Sequence, residues 1–167
     1  MSVGAELSYR HNTPLNSQVL GIAVPTGIPA GGSTPGPVGD TYHGLVNVVG
    51  LVPKTPLFDT ASYAAELTWS QWSKVSSGAN LFNAVGYAGC TFQGRRGDEG
   101  DGCTTKNFWG LALAFTPTWY QVFPGVDLSA PVTYAVGLNG NAVTTQNGFT
   151  TLLKDRGFVS LTFKTTF

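Results

Sequence analysis

The last eleven residues constrain the chain most. From Gly157 to Phe167 they alternate with period two, Val159, Leu161, Phe163, Thr165 and Phe167 on one side, Phe158, Ser160, Thr162, Lys164 and Thr166 on the other. Strict alternation of this kind is a β-strand lying between two different environments. Two settings produce it. One is the last strand of a soluble sandwich. The other is a strand of a membrane barrel, apolar toward lipid and polar toward the interior, with a terminal aromatic at the water interface.

Composition favours the second setting. Only 11% of the 167 residues are charged and the formal net charge is +0, against about 25% charged in an ordinary soluble domain. There is nevertheless no run of 18 apolar residues, the length a transmembrane helix needs. Neither a basic stripe nor a net positive charge argues for nucleic acid. Met1 to Glu6 has neither a basic nor an apolar signal-peptide region, so an outer-membrane reading expects a mature start or the C-terminal portion of a longer chain.

Six segments read as strands: Val3–Asn12, Thr41–Val52, Ala61–Ser73, Lys106–Tyr120, Val126–Gly137 and Gly157–Phe167. Nothing shows a helical period. The connections alternate between short (Pro53–Leu57, Gln121–Gly125) and long, Gly- and Pro-rich ones (Pro14–Asp40, Lys74–Thr105, Leu138–Arg156). Short inner turns and long outer loops are the rule in outer-membrane barrels. If the last strand ends on the inner side, every connection falls on the side its length requires. Trp109 and Trp119 lie ten residues apart on one face, about 33 Å along a strand. A tilt of about 40° projects this to about 25 Å, the height of an apolar band between aromatic girdles. Trp109, Trp119, Tyr120 and Phe167 are the girdle candidates. Six strands cannot close, since the smallest single-chain barrels have eight and an open edge in lipid leaves ladder groups unpaired. The expected fold is therefore all-β, an antiparallel up-and-down transmembrane barrel segment. It forms part of a larger barrel, shares one with other copies, or hides strands in its loops, the Pro14–Asp40 loop with Gln18–Val24 being the best place for a concealed strand or a short helix.

With the strands placed, Gly4–Pro14, Thr118–Ser129 and Leu152–Phe167 together resemble the C-terminal region of domain of unknown function 1302, a proteobacterial outer-membrane family. The terminal strand, with Val159, Leu161, Phe163 and Phe167, also resembles the signal by which the outer-membrane assembly machinery recognises barrels. The family resemblance implies a larger barrel with a pore-like or hydrophobic-solute transport role. It carries no catalytic residues, substrate or cofactor over to this chain.

The residues offer several sites. Cys90 and Cys103 are the only cysteines. In an oxidising envelope they favour a disulfide closing a loop of about 14 residues and contributing roughly 3 kcal/mol, with two free thiols the alternative. Without histidine neighbours they are no zinc site. Between them, Asp98, Glu99 and Asp101 offer hard oxygens to a cation. Their spacing matches no calcium loop, Arg95 and Arg96 can neutralise them, and a solvated loop accounts for them equally. Arg96-Gly97-Asp98 matches an adhesion tripeptide that chance also supplies. A hydrolase would pair His11 or His43 with Ser8 or Ser160, but alternation sends His11 and Ser8 to opposite faces. Glu6, Arg10, Glu66, Asp127 and Lys164 all fall opposite the apolar stripe. Charge on a lipid face costs about 2–4 kcal/mol at mid-bilayer, so these five are expected to face a lumen, as solute-selecting groups or as structural ion pairs. The expected function is passive passage of small or hydrophobic solutes, without cofactor or metal. The alternative is a structural or surface-interaction barrel binding partners through its long loops.

Overall fold

The computed structural model describes residues 1–17, 36–143, 158–161 and 164–166. The main sheet consists of β1 (Ser2–Pro14), β2 (Val38–Val52), β3 (Thr60–Ser77), β6 (Asn107–Phe123), β7 (Val126–Ser129), β8 (Val132–Asn139), β9 (Phe158–Leu161) and β10 (Lys164–Thr166). A separate hairpin joins β4 (Thr91–Phe92) to β5 (Arg95–Arg96). Every ladder is antiparallel. Among the described residues there is no helix.

The eight segments run along six lines. β7 and β8 flank Ala130-Pro131, yet both keep one register against β6: Thr118 faces Ser129 and Phe115 faces Val132. Pro131 has no N–H to give the ladder, which interrupts the fifth expected strand without displacing it. β9 and β10 likewise share one register against that line, Leu161 facing Val132 and Lys164 facing Ser129. The first four expected strands are longer than the alternation suggested, β3 running on to Ser77 and β6 to Phe123. Gln18–Val24, the candidate hidden strand, lies outside the described residues, as do Phe163 and Phe167.

Among the described residues the sheet does not close. β1 pairs only with β2, and the β9 and β10 line pairs only with the β7 and β8 line. The order is a meander, in which sequence neighbours are space neighbours. Cross-strand pairing compensates for small residues: the Tyr63 ring lies over Gly50, where a Cβ would come within 2.5 Å of its hydroxyl.

Among the described residues, the one compact apolar cluster is not between layers of sheet. It is built by the long connections at one end, where Leu15, Phe82, Ala84 and Val143 are buried and Trp72, Val75 and Tyr87 pack against them. Trp72, Phe82 and Tyr87 meet edge to face with centroids 5.0–5.6 Å apart, a preferred aromatic geometry. Backbone hydrogen bonds tie the connections together, from Asn16 N–H to the Val143 carbonyl, Asn83 to Asn16 and Thr104 to Asn83. Asn141 Nδ2 donates to the carbonyls of Glu99 and Cys103. Gly140 enters this cap with φ +73, and a Cβ there would collide with the Asn107 carbonyl. A disulfide joins Cys90 to Cys103, with Cα atoms 5.7 Å apart.

Candidate functional site

The register sorts the sheet into two unlike faces. One carries Val3, Ala5, Leu7 and Tyr9 from β1, Val46 and Val48 from β2, and Tyr63, Leu67 and Trp69 from β3. It continues through Trp109, Leu111, Leu113 and Phe115 of β6 to Val132, Tyr134 and Val136 of β8. No charged residue stands in these rows. Leu7 is 75% exposed, and Val46, Leu67, Leu113, Phe115 and Tyr134 are each more than a third exposed. A contiguous exposed apolar face of this extent marks a surface that meets something other than water.

Trp109 and Trp69 pair at the cap end of this face, centroids 6.2 Å apart. At the opposite end Trp119 donates from Nε1 to the Leu57 carbonyl at 2.6 Å, and Tyr120 is exposed beside it. Val159 and Leu161 stand in register with Tyr134 and Val132. Trp69 was not singled out from the sequence. It shares the alternation of Tyr63 and Leu67, but only the β3–β6 register sets it against Trp109.

The other face holds the polar residues. Glu6 and Arg10 of β1 and Glu66 of β3 are on it, and Lys164 of β10 stands in register with Ser129 of β7. Asp127 is elsewhere in role. It lies next to the short Pro124-Gly125 turn, and its Oδ1 accepts from the Gln121 N–H at 2.8 Å, holding a bulge at which Gln121 takes φ +50. The ion pairs among the described residues are His11–Asp40, Lys54–Asp59 and Arg95–Asp101. None of them uses Glu6, Arg10 or Glu66.

Of the hollows on this face, two are lined by charged side chains. The one toward the turns is floored by Ala64, Ala112, Ala114 and Ala135 around Asn47 and Glu66, and encloses about 320 Å³. The one nearer the cap, about 170 Å³, is lined by Glu6, Ser8, Arg10, His43, Thr68 and Ser70. Across it Ser8, His43 and Ser70 stand directly opposite one another on three neighbouring strands. The His43 ring is engaged by Thr41 instead, Nε2 to Oγ1 2.9 Å. Ser70 is 4% exposed, and its Oγ has no hydrogen-bond partner among the described residues. A buried hydroxyl left so costs about 1–3 kcal/mol, so the position calls for an occupant.

Alternation from Ser70 puts Trp72 on the polar side, opposite Thr41, and Trp72 donates from Nε1 to the Thr105 carbonyl. The cap is thus anchored over the polar face and covers its loop end, where Thr41, Ser70 and Phe108 are buried. The sequence marks these connections as loops holding a disulfide and a candidate concealed strand, without a shared cap. The apolar residues Leu81, Phe82, Ala84 and Tyr87 within one of them are the available signal.

His11 sits in a bulge of β1, its Nδ1 2.9 Å from Asp40 Oδ1, which also accepts from the Asn12 N–H. It stands away from Ser8. In the acidic loop Arg95 clamps Asp101 at 2.9 Å, while Asp98 and Asp101 accept from each other's N–H. These carboxylates shape the loop's own turn. Among the described residues no three His, Cys, Asp or Glu side chains converge as metal ligands, and no helix is long and apolar enough to cross a membrane, which leaves strands as the means of crossing open.

No curated protein and no solved structure matches this chain. One family does, over residues 1–167. The chain belongs to the family described as Protein of unknown function (DUF1302).

Proposed function

We propose that this chain is a segment of an outer-membrane β-barrel through which small or hydrophobic solutes pass passively. The observation that carries the reading is the contrast between the faces: an exposed, charge-free apolar surface running from β1 through β2, β3 and β6 to β8, backed by a face bearing Glu6, Arg10 and Glu66. In water such a surface is an aggregation hazard. Against acyl chains it is satisfied, and unpaired charge is then tolerated only on the lumen side. The alanine-floored hollow suits apolar solutes, and charge placement with the inward-anchored cap would set selectivity. The open edges require further strands, from the same chain or from copies, before the sheet can span lipid. Folding would depend on the barrel assembly machinery, with Val159 and Leu161 in the recognised strand. Neither cofactor nor enzymatic chemistry is invoked.

A second reading rests on the β4–β5 hairpin, whose tip presents exposed Phe92 with Arg95 5.5 Å above its ring. A rigid, disulfide-stapled cap displaying such a tip would serve a surface-interaction barrel. Planar-bilayer recording separates the two. Discrete single-channel steps support the pore, and a silent, fully inserted protein favours the interaction barrel.

A further inference from the structure

Glu6 and Arg10 line the same hollow but do not meet. Both lie on β1 with Ser8 between them, four residues apart, which separates their Cα atoms by about 13 Å. Neither takes part in an ion pair among the described residues. The strand itself therefore holds a cation and an anion toward opposite ends of the cavity, with no ion pair between them. Between them stand the hydroxyls of Ser8 and Ser70 and the ring of His43, with Ser70 Oγ buried and without a partner among the described residues. A ligand carrying one charge would satisfy one side and be repelled from the other. A ligand carrying both would satisfy both.

We infer that this hollow is a binding subsite for a small zwitterion, a free amino acid being the simplest form. Its carboxylate lies toward Arg10 and the His43–Ser70 row, and its ammonium toward Glu6. Arg10 offers a planar fork that matches a carboxylate, and Glu6 is acceptor-only when ionised, as an ammonium requires. The cavity carries no net formal charge from this pair, in keeping with a ligand that has none. A subsite along a conducting path must release what it binds, so the affinity is weak. A transport role for the subsite rests on the pore reading above. The binding does not.

The test is a titration of the full chain in detergent micelles with glycine, acetate and methylammonium at constant ionic strength. The signal is the His43 ring resonance, identified among the two histidines by His11→Asn. Glycine is expected to shift it saturably, with acetate and methylammonium each at least about tenfold weaker. Glu6→Gln and Arg10→Gln should each weaken the glycine response about tenfold or more, with unchanged circular dichroism showing that the sheet persists. Ser70→Ala should weaken it too, without loss of stability. The inference is overturned if acetate matches glycine, if neither charge variant alters the response, or if glycine shifts nothing. Because no bilayer is present, these outcomes stand apart from channel recording, whose failure would remove the pore and leave the subsite.

Discussion

Leu113 and Ala114 are adjacent in β6 and point to opposite faces, close to midway between Trp109 and Trp119. They isolate the environment of each face at one depth. Leu113 is 40% exposed, between Ala65 and Tyr134. Ala114 stands between Ala64 and Thr133 beside the alanine-floored hollow, with room for a long side chain. If the apolar face meets water, Leu113→Arg is a substitution at a partly exposed site and shifts stability by no more than about 0.5–1 kcal/mol. If it meets acyl chains, the arginine sits near mid-bilayer and costs about 2–4 kcal/mol, about 30- to 900-fold in the folding equilibrium. Ala114→Arg should lie within about 0.5 kcal/mol of the parent, since that face is wet. The assay is urea-dependent folding into phosphatidylcholine vesicles, followed by tryptophan fluorescence. Equal costs for the two arginines, or a larger cost at Ala114, would refute the assignment of faces.

Phe82→Ala removes a fully buried ring from the cap and should cost about 3–5 kcal/mol, read as faster hydrogen exchange between residues 79 and 105 while exchange in the centres of β2, β3 and β6 is unchanged. Removing the disulfide through paired Cys90→Ala and Cys103→Ala should weaken the same region by roughly 3 kcal/mol, and exchange that spreads into the sheet centre would contradict the separateness of the cap. Asp59 is held below the usual carboxylate range by its hydrogen bond from Lys54 and then by the Tyr120 N–H. Because its folded pKa is depressed, its contribution is present at neutral pH, begins to fall below about pH 4, and is gone once pH drops below its own lowered value. Denaturation midpoints of Asp59→Asn against pH should lack that acid-side decline, and parallel curves for parent and variant would contradict the pairing. Glu66→Gln should move the reversal potential of the intact barrel under a salt gradient, and an unchanged potential would count against its exposure to the conducting path.

The all-β class and the six lines of the sheet were legible in the sequence because alternation is a local signal: each strand announces its two faces without reference to its partner. Trp109 and Trp119 fell on one face for that reason. Four features were not legible. Pro131 interrupts the fifth line without shifting its register, which only pairing with β6 can reveal. Asp127 alternates with the lumen set, yet a bulge at Gln121 draws its carboxylate into a turn. The cap is assembled from residues far apart in sequence, such as Asn16 and Ala142 joined by a side-chain bond, and no short-range pattern encodes such a meeting. The cavity between Glu6 and Arg10 belongs with these, since Ser8, His43 and Ser70 come together only through the registers of β1, β2 and β3.

The central claim is that the apolar face lies against lipid and the cap does not, and lipid-borne quenching of single tryptophans tests it most directly. Of the four tryptophans, one variant would keep only Trp109, on the apolar face, and another only Trp72, packed against Phe82 and Tyr87. In vesicles of brominated phosphatidylcholine, Trp109 should be strongly quenched and Trp72 spared. Equal quenching of the two, or an unquenched Trp109 in protein that remains monomeric without detergent, would contradict the account.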